Sequence, residues 1–290
     1  MAVPKRRVYT VLSAGLIAIS LAAIFIRYAH APGVVVAFYR MAIASLVLLV
    51  LNRGKLERSK LKPRTLGLSI LSGFFLAIHF ASWISSLSYT SVAASVSLVS
   101  SQPLWVVLFS WLFLKLKPRP LTFFAVILAV SGGILIALGD FSGASAPLLG
   151  NSLAIIGAIS YAAYLLLGRV IQQEVPLTSY VLLAYGSAAL FLLPLPFIFK
   201  YSYFAYPAST FLWVALLALV PQLVGHTSIN YAMKYLNPNL VATAVLLEPV
   251  GASIFALVLF KEIPGLQTVF GAAILLTGVI LTVRSSEATG

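Results

Sequence analysis

The chain contains no cysteine. That excludes disulfides, thiolate metal sites and cysteine nucleophiles together. Charge is scarce: Asp, Glu, Lys and Arg make up 9% of 290 residues, against roughly a quarter in a soluble globular domain. Acidic residues are the rarest of these, six against nineteen basic ones. There is no Walker loop for nucleotide-driven pumping and no His-Glu-x-x-His helix for zinc. Histidine occurs three times, and His30 falls in a loop by pattern. Gly139-Asp140 hints at an intramembrane aspartyl site, but no second embedded aspartate supplies the pair that chemistry needs. The chain is therefore not expected to be an enzyme, and it requires no metal and no cofactor.

What is present is apolar. Hydrophobic residues make up 61% of the chain, and the mean hydropathy is +1.05. A helix needs about 20 apolar residues to cross the hydrocarbon core. Reading between charged and Pro- or Gly-rich breaks gives ten such runs, at 8–28, 33–51, 65–87, 91–114, 120–139, 148–170, 177–198, 208–233, 239–260 and 265–283. They are continuous rather than alternating, which argues against a membrane β-barrel. The first is long enough to span and is not read as a cleaved signal. The expected fold class is an all-α integral membrane protein with ten transmembrane helices, in the cell (inner) membrane.

The net charge of +13 does not imply a nucleic-acid partner, because the basic residues lie between apolar runs and not on a soluble basic face. They order the topology instead. With the N-terminus inside, Arg27, Lys200 and Lys261 fall outside, Arg40 is embedded, and every other Lys and Arg lies inside. Basic residues concentrate on the cytoplasmic side, so both termini are expected there.

One fixed offset, from Pro103 to Pro249, carries many residues of the chain onto matching ones without a gap. It takes Tyr89 to Tyr235, Phe109 to Phe255, Lys115 to Lys261, Pro118 to Pro264, Thr122 to Thr268, Phe124 to Phe270 and Gly132 to Gly278. The chain reads as two copies of one unit, residues 8–140 and 148–284. Each copy holds five runs. Five is odd, so the second copy enters from the opposite side of the membrane. Two inverted five-helix repeats suit a secondary transporter, whose similar halves allow two mirror-like open states.

Several residues stand out against the apolar background. Pro103 and Pro249 each remove a backbone donor and open a helix near mid-membrane. Carbonyls freed at that depth must face protein or a wet cavity; the plainer reading is a packing kink. Pro221 has no such counterpart and reads as a bend. Gln222, His226 and Asn230 recur every four residues, on one helical face, which lipid would not tolerate. His79 and Trp83 form a similar pair beside Ser82 and Ser86. Gln102 follows Ser97, Ser100 and Ser101, which read as helix packing. Tyr39, Tyr161, Tyr164 and Tyr185 lie within runs and have hydroxyls to satisfy. His79, Trp83, Gln102, Tyr39, Tyr164, Gln222, His226 and Asn230 are thus the candidate cavity lining. Glu248, whose counterpart is Gln102, is the one acid deep in a run. It must pair, face water or hold a proton. Arg40 is the expected partner in a shared polar interior, either as a static ion pair or as a coupling device. Ala125, Ala129 and Gly133 form a small-residue seam, with Gly271, Ala272 and Gly278 as counterparts.

Leu247-Glu248-Pro249-Val250, Phe260-Lys261-Glu262-Ile263-Pro264, Gly271-Ala272-Ala273-Ile274-Leu275 and Gly278 resemble the EamA-type repeat of the drug/metabolite transporter superfamily. Gly225-His226-Thr227 and Tyr231-Ala232-Met233-Lys234-Tyr235-Leu236 are similar to its eighth helix, and Arg40 in Ala37-Phe38-Tyr39-Arg40 to an arginine of its second. Leu116 departs from it where Glu262 conforms. The resemblance implies ten helices, a central cavity between the halves, and export or exchange of small metabolites such as amino acids. The partners expected are a small-molecule substrate and the lipid bilayer. A monomer suffices, and a dimer remains open. The rival readings are a channel or facilitator without ion coupling, and a lipid flippase.

Overall fold

The computed structural model describes residues 3–53, 62–90, 95, 98–137, 146–260 and 265–287, and among these every regular element is helical. In chain order they are α1 (Lys5–Ile19), α2 (Ala22–Ala29), α3 (Gly33–Leu51), α4 (Pro63–Ser86), α5 (Gln102–Leu114), α6 (Pro120–Ala137), α7 (Pro147–Ile171), α8 (Leu177–Leu192), α9 (Pro194–Ile198) and α10 (Ala208–Leu217). A π-helical segment (Ala218–His226), α11 (Thr227–Tyr235), α12 (Pro238–Val245), α13 (Leu247–Phe260) and α14 (Leu266–Glu287) follow. Ser97, Gly139, Asp140, Lys261, Glu262, Pro264 and the basic residues of 54–61 lie outside the described residues.

Among the described residues, eight helical stretches are long and apolar enough to cross a membrane, and Gln102–Leu114 and Pro120–Ile136 are shorter apolar helices. The shorter two fall in the runs 91–114 and 120–139. Several of the runs are interrupted rather than straight. The run 8–28 is two helices parted at Ser20–Leu21, where Ser20 Oγ donates to Leu16 O at 2.8 Å. The run 208–233 contains the wide π turn. Pro221 lies inside it and cannot donate to the turn before, and the backbone N–H of Thr227 reaches back five residues to Gln222 O. Large apolar side chains such as Leu51, Phe113, Leu190, Ile254 and Val258 are exposed on the outside. On a water-soluble protein this would be a liability; against hydrocarbon it is the required surface.

The helices pack in reciprocal pairs. Among the described residues, helices α6 and α14 make the most extensive helix–helix contact. A Cβ added to Gly132 would stand 2.6 Å from Gly271 O, and one added to Gly278 would stand 2.7 Å from Ala125 O. Gly132 and Gly278 are related by the repeat offset, and so are Ala125 and Gly271. The same contact is therefore made twice with roles exchanged. Gly271 also meets Ile136 while Gly278 meets Ala129, so the two helices run antiparallel. Only glycine lets backbones approach this closely.

A second exchange builds the centre. Helix α1 packs on the π segment and α11, while α7 packs on α4. In the first pair Gly15 meets Gly225, with a Cβ on Gly15 reaching 3.1 Å from Gly225 O. In the second, their counterparts Tyr161 and His79 pack with ring centroids 4.6 Å apart and planes tilted by 30°. Each half thus lends its leading helix to the other. Where the first pair has two glycines, the second has two rings, and the space beside those rings is the cavity.

Candidate functional site

A cavity of about 150 Å3 lies at this centre. Arg40, His79, Trp83 and Gln102 line it from the first half of the chain, and Tyr161, His226, Glu248 and Pro249 from the second. Ala22, Val99, Ser100, Val245, Leu246 and Ala252 complete the wall. Its size is below the roughly 300–1,000 Å3 of drug-sized ligand pockets, so it suits a small solute.

Two helix interruptions open onto it. Upstream of α5 the helix stops at Ser100–Ser101, with Ser101 Oγ donating to Leu98 O at 2.6 Å. Upstream of α13 it stops at Leu246, whose N–H turns back to Thr243 O at 3.1 Å. In both, the proline sits in the first turn of the helix that restarts. There its missing donor removes no helical hydrogen bond. The break precedes each proline, because the ring has no N–H to donate to the turn before it and clashes with the carbonyl four residues back. Pro249 lines the cavity, whereas Pro103 is buried beside it.

Arg40 is fully buried. Its Nε donates to Gln222 Oε1 at 2.7 Å, and its guanidinium carbon lies 4.2 Å from the centre of the Phe80 ring. Nη1 and Nη2 have no hydrogen-bond partner. Glu248, half-buried, shares the cavity but does not bond them. The two charges thus face one interior without closing into a pair.

The aromatic wall is fixed from behind. His79 Nδ1 donates to Gly157 O at 2.9 Å, and this selects the tautomer with Nε2 as acceptor. His79 stacks on Trp83 at 5.7 Å. Tyr161 and His226 meet edge to face at 5.6 Å, their Oη and Nδ1 atoms 3.4 Å apart. Phe80 meets His226 at 5.5 Å; these two are also related by the repeat offset, so the pair straddles the exchange described above. Trp83 Nε1 and Gln102 Oε1 are buried without partners.

The stripe Gln222, His226 and Asn230 is divided in its contacts. Gln222 holds Arg40 from behind, His226 reaches the cavity, and Asn230 points to a deeper cluster. There Asn230 Nδ2 donates to the hydroxyls of Tyr164 and Tyr185, and Tyr185 lies 3.2 Å from Thr227 Oγ1. Tyr164 is fully buried in that cluster rather than in the lining. Tyr39 is elsewhere altogether: its hydroxyl donates to Tyr203 O at 2.9 Å and its ring packs on Phe211. Its position one residue before Arg40 turns it to another side of α3. Phe80 is a site residue that the sequence does not flag, since a ring under a guanidinium carries no signal in an apolar run. Ser100, expected to serve helix packing, lines the cavity. Among the described residues no group of three or more His, Asp or Glu is arranged to hold a metal ion.

The model of the EamA-like transporter family matches residues 7–138 and again 148–284. An uncharacterized transporter of Bacillus subtilis, YxxF, is 25% identical over 267 residues, covering 89% of this chain and 83% of its own. An uncharacterized transporter of Archaeoglobus fulgidus is 27% identical over 257 residues, covering 85% and 86%. A solved crystal structure superposes with a TM-score of 0.80 at 17% identity, covering 97% of this chain and 99% of that one. At that identity the likeness speaks to fold.

Proposed function

The chain belongs to the EamA-like transporter family, and from that premise we propose that it is a secondary transporter exporting small metabolites such as amino acids by alternating access. In this reading ten helices form two inverted five-helix repeats, residues 8–140 and 148–284, with the substrate cavity between them. The protein sits in the cell (inner) membrane with both termini in the cytoplasm. It works as a monomer or a dimer, without a cofactor, on a small-molecule substrate.

The observation that carries the reading is the cavity itself. Its polar lining is drawn in near-equal measure from both halves, so any rocking of one half against the other must change which side the cavity opens to. The reciprocal, antiparallel contact of α6 with α14 supports an inverted relation. The family model's two matches support the division of the chain. Glu248, which lines the cavity without bonding Arg40 Nη1 or Nη2, is the group we assign to proton coupling. His79, Trp83, Gln102 and His226 are assigned to substrate contact, and Gln222, Tyr164 and Asn230 to holding the lining in place.

The test is counterflow. Purified protein in liposomes loaded with amino acids and other small metabolites should accelerate uptake of the same labelled solute, saturably, and a pH gradient should drive it further. Flux that follows the electrochemical gradient without saturation or counterflow would make the protein a channel. Counterflow insensitive to pH would make it an uncoupled facilitator. Movement of labelled lipid between leaflets in place of solute would make it a flippase.

A further inference from the structure

Away from the cavity, two helix pairs are tied to each other by polar side chains. The pairs are α1 with α11 and α4 with α7. The ties gather where α7 and α11 finish, at the end that the proposed topology places in the cytoplasm. Arg169, in the last turn of α7, donates from Nη1 to Met233 O at 2.7 Å and to Leu236 O at 2.5 Å. Gln172, just past that helix, donates from Nε2 to Asn230 O at 3.0 Å. Nearer the cavity, Asn230 Nδ2 donates to the Tyr164 hydroxyl. Tyr164, Gln172 and Asn230 are fully buried. The last carbonyls of a helix lack donors within it, and a cation there also meets the negative end of the dipole. Here the cap comes from a different helix, so capping α11 also binds it to α7.

This junction is built to part as well as to hold. Gln172 Oε1 and Asn230 Oδ1 are buried there without donors. A dry acceptor is costly, and water would satisfy it. Separating α7 from α11 therefore breaks the Arg169 and Gln172 bonds but relieves two stranded oxygens. The opposite end of the bundle has no such device. The repeat offset carries Arg169, Gln172 and Asn230 onto Ala23, Ile26 and Ile84, whose side chains make no hydrogen bonds. Among the described residues, α2 and α4, which carry these three, make no comparable contact. We infer that Arg169 and Gln172 form a hydrogen-bonded latch between α7 and α11, which holds the cavity shut toward the cytoplasm and must release before it opens there. The inference rests on the transport reading above. It assigns two positioning residues, neither of which lines the cavity.

The chain has no cysteine, so one introduced thiol reports alone. Met233→Cys places it in the buried turn that Arg169 caps, and Ala252→Cys places it in the cavity wall. The full-length protein is probed in membrane vesicles of both orientations with a membrane-impermeant maleimide. Adding Arg169→Gln to Met233→Cys should speed labelling from the cytoplasmic face about tenfold, as loss of a charge-assisted hydrogen bond implies. Gln172→Leu should act in the same direction more weakly, and Arg169→Lys should fall between Arg169 and Arg169→Gln. Labelling of Ala252→Cys from the other face should not rise in any of them. Should Arg169→Gln fail to fold, Arg169→Lys and Gln172→Leu decide the matter. Unchanged labelling of Met233→Cys would overturn the latch, and so would a rise at both thiols, which marks a loosened bundle. Wild-type protein silent in counterflow would overturn the transport reading, while the two thiols would still judge the latch.

Discussion

Helix α5 restarts at Gln102–Pro103 and α13 at Glu248–Pro249, the matching place in the second copy, and the two restarts share a backbone plan but not a chemistry. Both follow an interrupted helix, and both carry proline in the first turn. Gln102 offers a neutral, unpartnered oxygen, while Glu248 offers a carboxylate at the matching position. Arg40 has Gly186 as its counterpart, and His226 has Phe80. The scaffold is thus repeated while the charges are not. In the proposed mechanism, duplication supplies the two similar halves that exchange roles. The single cation and single anion between them give the cavity a polarity that two identical halves would lack.

The contrast between the two halves can be probed at four places. The largest effect is expected at the unmatched carboxylate. Glu248→Gln should abolish pH-driven transport while counterflow survives, and adding Gln102→Glu should restore part of it from the other copy. Uptake measured with and without a pH gradient decides both; undiminished pH-driven transport in Glu248→Gln would remove the asymmetry's assigned role. Next come the matched glycines. Gly132→Leu and Gly278→Leu force a side chain into the same backbone contact and should each cost about 1–3 kcal/mol, the usual penalty of overpacking. Equal losses in thermal unfolding would support the reciprocity, and grossly unequal ones would contradict it.

The prolines should separate the two restarts more gently. In the first turn of a helix, replacing Pro by Ala should change stability by about 1 kcal/mol or less, through the unfolded chain. Pro249→Ala should alter apparent substrate affinity, because Pro249 forms cavity wall, while Pro103→Ala should not. Competition binding on the two variants reads this difference. The smallest effect is expected at Tyr39→Phe, which deletes one hydrogen bond to Tyr203 O, worth about 1 kcal/mol, and should leave counterflow unchanged. A clear fall in exchange would return Tyr39 to the transport path.

Much of this site stood out in the sequence because polar groups are conspicuous in apolar helices. Arg40, His79, Gln222, His226 and Glu248 each violate the composition around them, and a charge or amide at that depth must look inward. Tyr39 and Tyr164 passed the same filter without reaching the cavity. A tyrosine needs only one acceptor or donor, and a loop carbonyl or a neighbouring asparagine can meet that need far from any ligand. Phe80 and Tyr161 were harder to weigh, since rings are ordinary in membrane helices and a face under a guanidinium leaves no spacing to read. The π turn is another such case. Pro221 announces a bend, but whether the helix kinks or widens depends on which groups reach the freed carbonyl, here the N–H of Thr227.

The order of amino acids alone establishes that the chain is helical and apolar enough for a bilayer, that its second half repeats its first at one fixed offset, and that one cation and one acid fall within the apolar runs. Those follow from local chemistry: the length of apolar runs, the absence of backbone donors at proline, the cost of charge in hydrocarbon. Packing alone leaves Arg40 beside a cavity with two unpartnered nitrogens, held by Gln222 and Phe80 from other helices while Glu248 does not bond them. The reason is that satisfaction of a buried group is a matter of what stands within about 3 Å of it. Arg40 and Gln222, far apart along the chain, supply that neighbourhood to each other only once their helices have met.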